Sequence, residues 1–148
     1  MLRMTCATVL LIGFLAPATA TAQSQKAARK VAELMTEFNT EMRGYERELK
    51  YFQRVPAQKP LLDLRNVLVA QAEKILELDG AGRGTGPAIL DLARQMDRNT
   101  RQLVADTIQF EKRTDVVGSG EARVIAKRMK LHSELMVRAV DKLIGMFR

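Results

Sequence analysis

Four long segments of this sequence have no internal proline and are separated by three short breaks. The breaks read VPAQKP over 55–60, GAGRGTGP over 80–87 and GSG over 118–120. Between them, apolar residues return at alternating steps of four and three. In the first segment these residues are Val31, Met35, Phe38, Met42, Tyr45, Leu49 and Phe52. A stripe with this period runs along one face of an α-helix, so the segment is predicted to be an amphipathic helix.

The other three segments repeat the pattern with occasional polar members. The second stripe is Leu61, Leu64, Leu68, Gln71, Ile75 and Leu78. The third is Ile89, Ala93, Met96, Thr100, Leu103, Thr107, Phe110, Thr114 and Val117. The fourth is Ile125, Met129, His132, Met136, Ala139, Leu143 and Met146. Apolar neighbours widen each stripe, which is typical of helices that face a common core.

The helix ends carry the expected signals. Pro60 and Pro87 suit first helical positions, and Ser119 suits the N-cap of the last helix. We therefore predict an all-α fold, an antiparallel up-down-up-down four-helix bundle with a short second helix. The predicted helices cover residues 24–54, 60–78, 87–117 and 120–147, and residues 23–148 form one domain.

The N-terminus has the features of a secretory signal peptide. Arg3 precedes an apolar run over Val9–Leu15, Pro17 interrupts that run, and Ala20–Ala22 provides small residues for cleavage before Gln23. The run is shorter than the ~20 residues that a membrane-spanning helix needs. We predict that residues 1–22 are removed and that the mature chain is periplasmic or secreted, with no transmembrane segment.

The only cysteine, Cys6, lies inside the predicted signal peptide. The mature chain would therefore have no disulfide, thiolate metal site or cysteine nucleophile. The whole chain has a formal net charge of +7 at pH 7. This excess favours attraction to an anionic envelope component or an acidic protein, and export argues against nucleic acid.

The predicted length mismatch between helices suggests an interaction surface. A second helix of only 60–78 would leave one end of the bundle covered by three helices. Apolar side chains there would be open to a protein partner or to a second copy of the chain. The expected interface residues are Val31, Met35, Ile89, Leu92, Leu143, Ile144 and Phe147.

The only histidine, His132, lies between Met129 and Met136 on one helical face. Antiparallel packing of the first and last helices would place Met42 near the same level. A methionine and a histidine on these two helices resemble the haem ligands of soluble b-type cytochromes, although both residues are central here. Thioether and imidazole ligands also suit Cu(I). The alternative is a core histidine bonded to a seam threonine or to Gln71.

Signals for catalysis are weak. No Glu-x-x-His pair provides ligands for a di-iron site, and one histidine cannot form a histidine-rich zinc site. The serines outside the signal peptide, Ser24, Ser119 and Ser133, have no evident His–Asp relay. We therefore predict a protein that acts by binding or assembly with an envelope or secreted partner and not by catalysis. A haem- or copper-binding bundle that uses His132, Met42, Met129 and Met136 is the alternative.

Overall fold

The structure is a computed structural model that describes residues 18–82, 84–113 and 115–148, with side chains described from residue 22 onward. Within these residues it has four α-helices and no strand. The helices are α1 (Ala18–Lys50), α2 (Lys59–Gly80), α3 (Gly86–Lys112) and α4 (Gly120–Gly145), and a short 3-10 helix covers Pro56–Gln58. The predicted signal peptide falls mostly on residues 1–17, outside the described residues.

The helices form the predicted antiparallel bundle. Each helix packs against the next in the chain, and α4 closes the bundle against α1. Two ion pairs give the direction of the α1–α4 contact. Glu37 of α1 binds Lys142 at 3.0 Å, and Glu48 binds Arg128 at 3.6 Å. The later residue on α1 pairs with the earlier residue on α4, so the two helices run in opposite directions.

The helix ends follow local chemistry. Pro60 and Pro87 lie in the first turns of α2 and α3. The Ser119 side chain accepts a hydrogen bond from the backbone N–H of Ala122 at 3.1 Å, which confirms the predicted N-cap. The α3 helix ends at Lys112, five residues earlier than predicted. Arg113 is extended there, with ψ of 126°, which stops the helix before the β-branched Val116 and Val117.

One core runs along the bundle and contains most of the predicted stripes. Phe38, Tyr45 and Leu68 are completely buried. Near the end of α1, the rings of Phe52 and Phe110 meet edge to face, with centroids 4.9 Å apart. Since the chain has no disulfide, burial of this apolar surface is the main favourable term in folding.

Candidate functional site

The predicted interface at the short-helix end is not an exposed surface. The α2 helix extends to Gly80, and Gly82 and Gly84 of the following connection, with Gly86 at the start of α3, lie at this end of the bundle. Glycines of that connection, with Phe147, line the same hollow as Val31 and Ile89. Five of the seven expected interface residues are therefore buried: Val31, Met35, Ile89, Leu143 and Ile144. Leu92 and Phe147 are partly buried against the core.

His132 lies at the edge of the core, between α4 and α1. Its Nδ1 donates a hydrogen bond to Oε2 of Glu41 at 2.7 Å. About a fifth of the histidine side chain is exposed (22%), and the glutamate is exposed to a similar degree, at 25%. The expected hydrogen bond to a seam threonine or to Gln71 is wrong, because Glu41 is the partner. Gln71 instead accepts from Asn99 at 3.1 Å.

Gly44 explains how the imidazole fits between the two helices. It lies three residues after Glu41 on α1, and the ring of His132 packs directly against it. A Cβ atom at Gly44 would lie 2.7 Å from both ring nitrogens. Real side chains do not approach this closely, so the missing side chain of glycine allows the ring to fit.

The three methionines proposed as ligands occupy a different environment. Met42, Met129 and Met136 are at most 2% exposed and belong to the apolar core. Ser133 occupies the buried α4 position next to His132, and its hydroxyl donates to the carbonyl of Lys130 at 2.7 Å. His132 thus shares the α1–α4 edge with Glu41, whereas the methionines face the centre of the bundle. No group of three or more His, Cys, Asp or Glu residues suited to a metal ion occurs among the described residues.

A second polar pair is fully buried between α1 and α3. The hydroxyl of Thr107 donates to the carbonyl of Leu103 at 2.6 Å, so the phenol of Tyr45 donates to Thr107 at 2.7 Å. Burial raises the pKa of the Tyr45 phenol well above its usual range, while the hydrogen bond to Thr107 acts in the opposite direction. Every buried side-chain nitrogen and oxygen in the described part of the chain has a partner. These groups therefore stabilise the core.

An open groove with a volume of about 980 Å³ lies between α1 and α4. Its charged lining is balanced: Arg29, Arg138, Lys142, Glu33, Glu37 and Glu41. The hydroxyls of Thr36 and Thr40 in its wall donate to carbonyls of their own helix. Glu33, Glu37 and Glu41 are bound by Lys30, Lys142 and His132, and Arg29 and Arg138 have no ion-pair partner among the described residues. The threonine hydroxyl protons are therefore used within the helix, and the polar groups that remain for a ligand are these two separate arginines.

The strongest candidate for a binding surface is the outer face of α1. Arg43, Arg47 and Lys50 follow at steps of four and three, so they lie on one helical face, and all three are exposed. Arg43, Arg47 and Lys50 are called here the basic ridge. None of them forms an ion pair with any described residue. Arg54, in the turn after α1, is also exposed and has no described partner.

Each acidic residue of α1 is engaged by a cation or by His132, including Glu46, which lines the same depression as the ridge. Glu37, Glu41 and Glu48 bind residues of α4, and Glu46 binds Arg65 of α2. The remaining carboxylate, Glu33, pairs with Lys30 on its own helix. The neighbouring helices therefore neutralise most of the negative charge of α1 and leave its outer face positive.

Two of these features were missed from sequence. Neither the contact of Glu41 with His132 nor the run of cations on the outer face of α1 was identified from the sequence. The signal for the first was Gly44, a glycine inside a helix, which often marks a close approach. The signal for the run of cations was that positions 43, 47, 50 and 54 are all Arg or Lys, with no acid among them.

No known protein family, curated protein or solved structure matches this chain. None of the helices among the described residues has the length and apolar character needed to cross a membrane.

Proposed function

We propose that this is an exported protein that acts by binding, without catalysis, and that its basic ridge attaches it to an anionic component of the cell envelope. One observation supports this proposal above the others. The ridge presents three exposed cations that have no ion-pair partner among the described residues. A surface of one sign attracts ligands of the opposite sign over several ångströms in water.

Helix stability alone does not account for the ridge. Cations in the last turn of a helix interact favourably with its dipole, which explains Arg47 and Lys50. That effect falls off within one turn, and Arg43 lies seven residues before Lys50. The helix dipole therefore does not explain the cation at Arg43, which lies on the same face of α1 as Arg47 and Lys50.

A binding experiment with envelope material tests the proposal. The mature protein, residues 23–148, would be sedimented with membrane and cell-wall fractions at low and high salt. We expect cosedimentation that weakens as salt rises, because the attraction is electrostatic. The variant R43Q/R47Q/K50Q should lose most of this binding. Equal binding by the variant and the parent protein, or no binding by either, would overturn the proposal.

A matched control removes the same charge from the other side of the bundle. Arg94, Arg98 and Lys112 are exposed cations of α3. The variant R94Q/R98Q/K112Q has the same net charge as the ridge variant. It should keep the parent's binding if the ridge is the site, whereas equal losses in both variants would indicate a net-charge effect only.

A haem or Cu(I) site at His132 is the second candidate, and one observation favours it. The Glu41 carboxylate binds Nδ1 and orients the ring, which leaves Nε2 as the ligand nitrogen, as in many metal-binding histidines. Met42, Met129 or Met136 would have to leave the core to provide a sulfur ligand. An absorbance spectrum and copper analysis of the exported protein, compared with His132→Ala, test this candidate. A Soret band or bound copper that depends on His132 would support it.

A further inference from the structure

Building on the proposed function, we infer that the anionic component is the surface of an anionic phospholipid bilayer. The basic ridge would bind the lipid headgroups, and the exposed apolar side chains Tyr51, Val124 and Leu131 would enter the interface beside it.

The three apolar side chains are unusually exposed. Tyr51 is 48% exposed, Val124 51% and Leu131 53%, which are the highest values among the large apolar side chains that the structure describes. Val124 and Leu131 lie two turns apart on α4 and therefore share its outer face. Tyr51 directly follows the last residue of α1 and of the ridge, Lys50.

Two contacts between α1 and α4 place these groups side by side. Glu41 binds His132, and Glu48 binds Arg128. The stretch 41–48 of α1 therefore lies alongside 128–132 of α4. Arg43 and Arg47 fall within the first stretch, and Leu131 falls within the second. The basic ridge on α1 and Leu131 on α4 therefore lie on neighbouring helices at the same level along the bundle.

The Arg128–Glu48 ion pair extends this relationship to the other two apolar residues. Arg128 follows Val124 by one turn and precedes Leu131 by one turn, so it lies on the same side of α4. Its partner Glu48 lies three residues before Tyr51, and the backbone N–H of Tyr51 donates to the carbonyl of Glu48 at 3.1 Å, so the two residues are one turn apart. Tyr51, Val124 and Leu131 therefore flank the basic ridge at one end of the α1–α4 pair.

Cations beside exposed apolar groups match the chemistry of a bilayer surface. Lys and Arg residues are attracted to anionic headgroups, and apolar side chains gain free energy by leaving water at the acyl boundary. Tyrosine suits this boundary because its ring is apolar and its hydroxyl is polar. A soluble polyanion would use the cations only and would leave the three apolar side chains in water.

Vesicle flotation with the mature protein tests the inference. One vesicle is phosphatidylcholine alone, and the other contains phosphatidylglycerol as its minor component. We expect binding to the second only. The R43Q/R47Q/K50Q variant should bind roughly 100-fold more weakly, because each of the three cations contributes about a fivefold gain near an anionic membrane surface. The R94Q/R98Q/K112Q variant should stay within about threefold of the parent protein.

The variant V124S/L131S tests the apolar half of the inference, and these exposed positions should tolerate the change. We expect a loss of vesicle binding of about tenfold or more, because two apolar side chains no longer leave water at the bilayer, while binding to soluble dextran sulfate remains as in the parent protein. Vesicle binding that is unchanged in V124S/L131S would overturn the bilayer inference.

Two further outcomes separate this inference from the proposed function. Ridge-dependent binding to dextran sulfate without any vesicle binding would overturn the bilayer and leave the anionic-component proposal standing. Absence of ridge-dependent binding to vesicles, dextran sulfate and envelope fractions would overturn both. Circular dichroism of each variant, compared with the parent spectrum, shows that a loss of binding is not a loss of fold.

Discussion

The imidazole of His132 lies on Gly44, in space that any other residue at position 44 would fill with its Cβ atom. That atom would be 2.7 Å from each ring nitrogen. The contact joins the middle of α1 to the middle of α4. It also makes a glycine in a helix interior favourable, although glycine usually destabilises a helix by up to ~1 kcal/mol relative to alanine.

We expect Gly44→Ala to destabilise the protein. Overpacking of a well-filled site costs about 1–3 kcal/mol, which exceeds the gain in helix propensity. Urea denaturation followed by circular dichroism measures the change. Gly80→Ala is the control, because nothing lies within 4 Å of a Cβ atom there. The double variant with His132→Ala should recover part of the loss. A Gly44→Ala protein more stable than the parent would contradict the packing described.

Tyr45 should make the fold sensitive to alkali. Burial raises its pKa in the folded state above the ordinary value of 10.0. The folded state therefore favours the neutral phenol, and this contribution to stability is complete below pH 10 and is lost as pH rises above it. In Tyr51→Phe, where Tyr45 is the only tyrosine, phenolate absorbance should appear together with loss of helical circular dichroism. Phenolate formation near pH 10 with the helices intact would contradict this prediction.

Leu143 and Leu131 provide a matched test of the covered bundle end. Leu143 is fully buried, and Leu131 is 53% exposed on the same helix. We expect Leu143→Ala to lower the free energy of unfolding by roughly 2–5 kcal/mol. Leu131→Ala should change it by at most about 0.5 kcal/mol. If Leu143→Ala and Leu131→Ala changed the free energy of unfolding equally, the end of the bundle near Leu143 would be open.

The signal peptide prediction can be checked by mass. Protein recovered from the exported fraction should begin at Gln23, because Ala20–Ala22 offers the small residues that cleavage needs. Ala20→Leu with Ala22→Leu should block cleavage and retain the longer form, and serine at both positions should not. Recovery of the uncleaved parent chain from that fraction would make the predicted cleavage wrong.

The bundle could be predicted from the sequence because its strongest signals are local. The α1 stripe around Phe38 and Tyr45 is apolar at every step, and the breaks contain proline or glycine. These features confine each helix to one segment and one buried face. The end of α3 was predicted five residues too late, because its last predicted turn depended on Thr114 and Val117, which are poor helix formers.

The position of His132 could not be predicted from the same rule. A strict alternation of four and three steps places His132 in the core, but a straight helix drifts by about 20° per seven residues relative to that repeat. In the structure Ser133 takes the buried position and His132 moves to the edge. A polar ring is stable there because Glu41 accepts a hydrogen bond from its Nδ1, and that partner lies 91 residues away in the sequence.

The covered bundle end was missed because the sequence did not fix how far α2 extends. Two further residues, Asp79 and Gly80, are helical, and the glycine connection then turns over the core. Gly82 and Gly84 have φ values of 93° and 88°, which only glycine adopts readily. The length of a helix before such a connection depends on tertiary packing, which local patterns do not encode.

The way in which α1 shares its charges has a consequence for how the molecule approaches a surface. The helix has six Lys and Arg residues and five glutamates, so its total charge is close to zero. Because cations of α2 and α4 neutralise three of those glutamates, the positive charge of the outer face is not cancelled within its own helix. A negatively charged plane would therefore attract the molecule through the outer face of α1, although the helix as a whole carries almost no net charge.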